Sequence, residues 1–211
     1  MTTLASELEA FLAEFSMRIP PDVRDVMLEG DNHLRDSGVE ERALKPGASA
    51  PDFALENQDG DLVRLQERLR EGPVILSFYR GGWCPYCNLE LRAWRRERDA
   101  LKNAGASLIA ISPQAPDATR ETALKNDLGF DVVSDAGSRI AGLYGVAFEL
   151  PESLRKLYTR FGHALPAING SDDWRLPMPA TFVIARTGAI VLAHASVDYR
   201  QRLEPSIAID A

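Results

Sequence analysis

The stretch Val74-Ile75-Leu76-Ser77-Phe78-Tyr79-Arg80-Gly81-Gly82-Trp83-Cys84-Pro85-Tyr86-Cys87 decides how this chain is read. Its first six residues are a short apolar run rich in β-formers. Gly72-Pro73 opens that run and Gly81-Gly82 closes it, which predicts a buried strand. Beyond the glycines, Pro85 suits the first position of a helix, where a missing N–H costs nothing. Cys87, Leu91, Trp94 and Leu101 then recur at helical spacing. Strand, glycine turn, dithiol and helix form a context in which C-x-x-C points to redox chemistry.

The physics of that placement is direct. A helix N-terminus leaves backbone N–H groups unpaired and carries partial positive charge, so it favours thiolate over thiol. A free thiol ionises near about 8.5, and a cysteine at a helix start ionises lower. Cys84, at the helix end, is expected to be the more exposed sulfur, and Cys87, one turn in, the more buried. These are the two cysteines of the chain. A structural zinc site asks for four ligands, and there is no second cysteine pair. His33, His163 and His194 are scattered without ligand spacing, and His163 and His194 read as structural. No metal and no cofactor are expected.

Composition narrows the class. The chain has 211 residues, 45% of them hydrophobic, enough for one cored domain with an appendage. A net charge of −7 argues against a nucleic-acid or anionic-membrane partner. No stretch is apolar enough to span a membrane. Met1 to Glu9 is acidic-polar, without the basic start and apolar core of a signal peptide. A single dithiol also fits a reducing compartment. A cytoplasmic location is the expectation. Arg92, Arg95, Arg96 and Arg98 interleave with Glu90, Glu97 and Asp99, which reads as a solvated helix face.

The first forty-odd residues read as a helical extension, residues 1–44, separate from a main domain over 45–211. Leu4, Leu8, Phe11, Leu12 and Phe15 form an amphipathic stripe that must pack on the core or on a second subunit of a homodimer. Pro20-Pro21 breaks that helix, and a second runs from Asp22 to about Arg35. In the main domain, Asp52–Glu56 and Leu62–Leu65 flank the hairpin signal Asp59-Gly60. The dithiol helix is expected to end near Gly105. Ser107–Ile111 and Phe130–Val133 read as strands. Asp117 to about Leu128 reads as a helix with Gly129 as its C-cap signal. Ser138–Leu143 and Glu152–Phe161 read as helices, and 162–177 as a Gly/Pro/Asp-rich loop. Thr181–Ile184 and Ile190–Ala193 read as a terminal hairpin around Thr187-Gly188. Strands alternating with helices imply an α/β sheet covered on both faces, and the hairpin makes it mixed.

Several segments together resemble the AhpC/TSA, or peroxiredoxin, family. Lys45-Pro46-Gly47-Ala48-Ser49-Ala50-Pro51-Asp52-Phe53-Ala54-Leu55 is similar to its opening motif. Asp59-Gly60, Leu65, Phe78-Tyr79, Ser134-Asp135, Tyr144-Gly145-Val146 and Ala180-Thr181-Phe182 continue it in order. The resemblance covers roughly residues 45 to 197. It implies a thioredoxin-like fold with a mixed central sheet, and thiol-dependent redox activity. The family's active-site pattern Pro-x-x-x-Thr-x-x-Cys, laid on from Phe78-Tyr79, puts its Pro at Arg80, its Thr at Cys84 and its peroxidatic Cys at Cys87. Only the cysteine matches. The family's later arginine falls on Pro179. Met178-Pro179-Ala180-Thr181-Phe182 instead resembles the cis-proline segment that faces C-x-x-C in thioredoxin-like reductases.

Two mechanisms follow. In a peroxidase, the resemblance implies that Cys87 attacks a hydroperoxide and Cys84 resolves; a thioredoxin-like or small-thiol reductant then reopens the disulfide. Arg80 is the candidate cation, with an exposed loop residue as its alternative. In a protein disulfide reductase, Cys84 attacks, Cys87 resolves, Trp83 flanks the site and Pro179 presents backbone groups to the substrate. Glu90, three residues after Cys87, either orients active-site groups or lies solvated in the first turn. A redox-sensing binding module is a third reading. The peroxidase leads because the family resemblance is extensive.

Overall fold

The structure, a computed structural model, describes residues 2–211. Three helices come first: α1 (Leu4–Arg18), α2 (Pro21–Asp36) and the single turn α3 (Val39–Arg42). The Thr3 hydroxyl oxygen caps α1 by accepting the Ser6 N–H at 3.2 Å. The prolines at 20 and 21 end α1, and Pro21 opens α2 at a position where its missing N–H is harmless. β1 (Ala54–Glu56) and β2 (Leu62–Arg64) pair as the hairpin that Asp59-Gly60 predicts. α4 (Leu65–Glu71), unsignalled in the sequence, leads into β3 (Val74–Phe78). Then follow α5 (Pro85–Arg96), α6 (Arg98–Asn103), β4 (Ser107–Ser112), α7 (Pro116–Asn126) and β5 (Asp131–Ser134). The chain continues through α8 (Arg139–Leu143), β6 (Ala147–Glu149), α9 (Glu152–Arg160), α10 (Leu165–Asn169) and β7 (Arg175–Pro177). β8 (Ala180–Ile184) and β9 (Ile190–Ala195) form the closing hairpin, and α11 (Pro205–Ile209) ends the fold.

The central sheet has the order β5-β4-β3-β8-β9. β3, β4 and β5 run parallel, while β8 and β9 are antiparallel, so the sheet is mixed as expected. Leu76 pairs with Ile109 on one side and Phe182 on the other. Every residue of β3 is buried. That is why its sequence is a continuous apolar run rather than an alternation: both faces of the sheet are covered.

The N-terminal helices do not stand apart. Val23, Leu34, Val39 and Ala43 bury in the same cluster as Leu76, Phe78 and Phe182. Leu4 and Leu8 of α1 pack with Tyr86, Cys84 and Cys87. Phe11 meets Tyr86 edge-on at 5.0 Å. The stripe therefore covers the dithiol helix, with Leu12 left exposed.

Other expectations need correcting. The stretch 162–177 is not a plain loop: it holds α10 and β7, and β7 pairs with β6. The dithiol helix breaks at Glu97 instead of running to Gly105. Gly129 is not the cap of α7; Asp127 takes the left-handed turn at φ 50°. Asp is one of the few residues besides Gly that enters that region readily.

Leu8→Ala is expected to cost about 2–3 kcal/mol, the low end for a buried leucine because α1 lies at the edge of the core. A urea midpoint unchanged from the parent would show that α1 does not contribute to the fold.

Candidate active site

The turn that ends β3 places the site. Gly81 has φ 140°, and a Cβ there would lie 2.5 Å from Trp83 Nε1. A Cβ on Gly82 would lie 2.1 Å from the Thr122 hydroxyl oxygen. No larger residue lets the chain turn this tightly from strand to helix. The turn is pinned by polar side chains. Gly82 N–H donates to Gln114 Oε1 at 2.8 Å, and Asn88 Nδ2 donates to the carbonyls of Gly82 and Cys84 at 2.7 and 2.9 Å. Cys84 is thereby the N-cap of α5, with Pro85 as its first residue, as the sequence predicts.

Both sulfurs are fully buried, so the expectation that Cys84 is the more exposed is wrong. α1 and the aromatic side chains around the turn cover it. The electrostatics still separate the two. Burial alone would push both thiols up. At Cys84 that effect is overcome by a hydrogen bond from the Cys87 thiol and by the Arg80 and Arg202 guanidinium groups, so its pKa falls well below the ordinary value. Cys87 is pushed well up by burial, by that same hydrogen bond and by the Cys84 charge. The charge pattern therefore favours ionisation at Cys84 over Cys87.

Arg80 is not an exposed loop residue; it is 6% exposed. Its Nη2 donates to Cys84 Sγ at 3.3 Å and its Nη1 to the Tyr158 hydroxyl at 3.0 Å. The guanidinium lies 4.1 Å from the Tyr199 ring centroid and 5.3 Å from that of Trp83. These ring faces offset part of the cost of burying the cation. Trp83 packs against Tyr158 and His163, each at 5.3 Å. His163, read from the sequence as merely structural, thus borders the site. Glu90 is buried, not solvated, and its Oε2 accepts from Arg202 Nε at 2.7 Å. Burial pushes the Glu90 carboxyl up, and the Arg202 charge opposes that rise.

Pro179 is buried, with its carbonyl accepting the Ser196 N–H at 3.3 Å. Its neighbour Ala180 pairs with Phe78, so Pro179 lies at the end of the sheet that carries the dithiol turn. No peptide bond among the described residues is cis, so the cis-proline expectation is not met.

Sequence reasoning missed Tyr158, Tyr199, Gln114 and Arg202. They come from α9, from the segment after β9 and from the loop before α7, and no motif ties them to the cysteines. A cavity of about 170 Å³ opens beside Arg80, lined also by Phe15, Met27, Trp83, Tyr158 and Tyr199. The Nε of Arg80 and Nε1 of Trp83 have no hydrogen-bond partner. A larger groove of about 540 Å³ lies between α2 and α9, away from both cysteines. Among the described residues, no cluster of three or more His, Cys, Asp or Glu side chains could hold a metal, and no helix is long and apolar enough to cross a membrane.

A mixed sheet with a dithiol at the first turn of the helix after its central strand defines a thioredoxin-like scaffold. A solved peroxidoxin BcpB from Mycobacterium tuberculosis shares the fold with a TM-score of 0.62 at 23% identity, over 79% of this chain and 95% of that one. The Xanthomonas campestris peroxiredoxin Q shares it at 0.55 and 18%, over 72% and 85%. The AhpC/TSA family model matches residues 46–193, and the chain belongs to that family. Among curated relatives, the chloroplastic peroxiredoxin Q of Oryza sativa subsp. japonica is 34% identical over 107 residues, 51% of this chain. The peroxiredoxin Bcp of Escherichia coli (strain K12) is 33% identical over 103 residues, 49% of this chain and 65% of its own. The chain spans about half the length of the rice relative, 49%.

Arg80→Met is expected to move the ultraviolet thiolate titration of Cys84 to higher pH, because it removes the nearest cation. In the parent, the pH midpoint of Cys84 alkylation should lie well below that of a free thiol. A parent rate that climbs steadily from pH 6 to about 8.5, as for a free thiol, would contradict the thiolate assignment.

Proposed function

We propose that this chain is a thiol peroxidase that reduces hydroperoxides through a Cys84–Cys87 dithiol/disulfide cycle. The observation that carries this reading is the buried Cys84 sulfur, 3.3 Å from the Arg80 guanidinium beside an aromatic cavity. The Cys84 thiolate attacks the outer peroxide oxygen. The O–O bond breaks, the departing alkoxide takes a proton from water, and Cys84 becomes a sulfenic acid. Arg80 is the donor placed to stabilise the charge on the departing oxygen. Cys87 then gives up its proton and attacks the Cys84 sulfur. The S–O bond breaks, hydroxide leaves as water with that proton, and the disulfide closes. The dithiol loses two electrons, and the peroxide becomes alcohol and water. A thioredoxin-like dithiol or a small thiol reopens the bond by exchange.

Cys84 as attacker reverses the assignment that the family position implies for Cys87. It is supported by the charge pattern: the arginine nearest a sulfur touches Cys84. The cavity beside Arg80 is lined mostly by aromatic side chains, so the peroxide that suits it carries a compact apolar group. The reading includes a cytoplasmic setting. It also includes a homodimer formed through the exposed Leu12, Met17 and Leu28 of the first two helices.

Cys84→Ser should abolish peroxide oxidation, a loss of at least about 10²-fold. Cys87→Ser should still form a sulfenic acid, trapped as a dimedone adduct and read by mass spectrometry. The opposite pattern restores Cys87 as the attacker. Cumene hydroperoxide should oxidise the protein about tenfold faster than hydrogen peroxide, the order of magnitude one well-filled apolar pocket supplies. If neither peroxide reacts faster than with free cysteine, the peroxidase reading fails.

A further inference from the structure

The resolving step poses a problem that the resting site does not solve. Cys87 must lose its proton to attack, yet it sits fully buried beside the Cys84 charge. Burial makes ionisation there costly unless a cation stands close by. One does. Arg202, from the segment after β9, points its Nη2 at Cys87 Sγ from 3.7 Å. Its side chain is 1% exposed, as is that of Glu90, which holds its Nε at 2.7 Å. Arg202 Nη1 donates to the carbonyls of Tyr199 and Gln201. A side chain fixed on three sides has its fourth donor directed at the second sulfur. Arg202 also lies outside residues 46–193.

We propose that Arg202 is the catalytic residue of the resolving step, supplying the positive charge that turns Cys87 into a thiolate once Cys84 has been oxidised. This rests on the dithiol cycle in which Cys84 attacks first. In the resting pair the Cys84 charge holds the Cys87 proton. When Cys84 takes up oxygen, or becomes a mixed disulfide, that charge is gone. The two influences holding the Cys87 proton, its hydrogen bond to Cys84 and the Cys84 charge, vanish together. Burial still opposes ionisation, and Arg202, ahead of Arg80, is the cation that favours it. The positive field therefore passes to the second sulfur only after the first has reacted. Both cations act on both sulfurs, but the direct contacts divide: Arg80 donates to Cys84 and Arg202 to Cys87. The arrangement separates attack from resolution, so Cys87 is not a competing nucleophile in the reduced protein.

The test reads the two steps separately and needs no peroxide. Reduced protein is mixed in a stopped-flow instrument with excess dithiobis(nitrobenzoate), a chromogenic aryl disulfide. The first equivalent of coloured thiolate marks attack by Cys84. The second marks Cys87 closing the disulfide. In Arg202→Met the second phase should slow at least about tenfold more than the first, since Cys84 keeps its hydrogen bond from Arg80 while Cys87 loses its nearest cation, and the pH midpoint of the second phase moves upward. Arg202→Lys should recover part of the rate. The pair Arg202→Met with Glu90→Gln repeats the measurement without a stranded buried carboxylate, in case the single variant folds poorly. The proposal is overturned if the second phase and its pH midpoint match the parent in the variants. It is equally overturned if both phases slow together, which marks a structural role, or if the parent never releases a second equivalent. The peroxidase reading stands or falls separately, on oxidation by hydroperoxide.

Discussion

A sulfur held out of water beside a guanidinium is the interaction on which the rest of this structure depends. Cys84 is fully buried, and Arg80, itself 6% exposed, donates to it at 3.3 Å. Burying either charge alone would cost several kcal/mol. The surroundings are arranged to lower that cost. Tyr158 accepts from Arg80, the faces of Tyr199 and Trp83 lie against the guanidinium, and the Cys87 thiol donates to the sulfur. Tyr158 and Tyr199 come from distant parts of the chain, α9 and the segment after β9. The pair therefore explains why α9, the N-terminal helices and the segment after β9 converge on one end of the sheet.

That convergence also explains how a member of the AhpC/TSA family can dispense with residues the family pattern contains. Where that pattern has a threonine, this chain has Cys84, and where it has a later arginine, this chain has Pro179. Two arginines from elsewhere occupy the neighbourhood: Arg80 from the turn itself and Arg202 from beyond the last strand. Arg200, two residues earlier, pairs with Asp31 of α2 at 2.9 Å and Asp198 at 2.6 Å. This ties the C-terminal segment to the N-terminal extension and holds Tyr199 over Arg80. The family domain thus carries the thiols, and segments outside it contribute to their electrostatic environment.

The same segments cover the dithiol. Leu4, Leu8 and Phe11 of α1 pack on the dithiol helix, and Tyr86 stands between Phe11 and Tyr199. In an open dithiol site the first cysteine of the pair would face solvent; here it is fully buried, and its partner Arg80 lines a small aromatic cavity. Exposed thiols react with whatever disulfide diffuses in, and buried ones react with what fits.

Local sequence determined a good deal. The apolar run of β3, the glycines of the turn and Pro85 after Cys84 fix a strand, a tight turn and a helix start, because each acts through its own backbone. The mixed sheet, the hairpins and the dithiol were legible for the same reason. The short elements α3, α4, α10, α11, β6 and β7 were not, since a few residues carry too little periodicity to read. Nor were the solvent exposure of Cys84, the burial of Glu90, or the roles of Tyr158, Tyr199 and Arg202 around the thiols. Those depend on which distant side chain fills the space beside a sulfur. An arginine 115 positions after Cys87 carries no local mark of its target. Only the tertiary structure decides it, because burial and charge pairing are set by what packs together and not by what is adjacent in the chain.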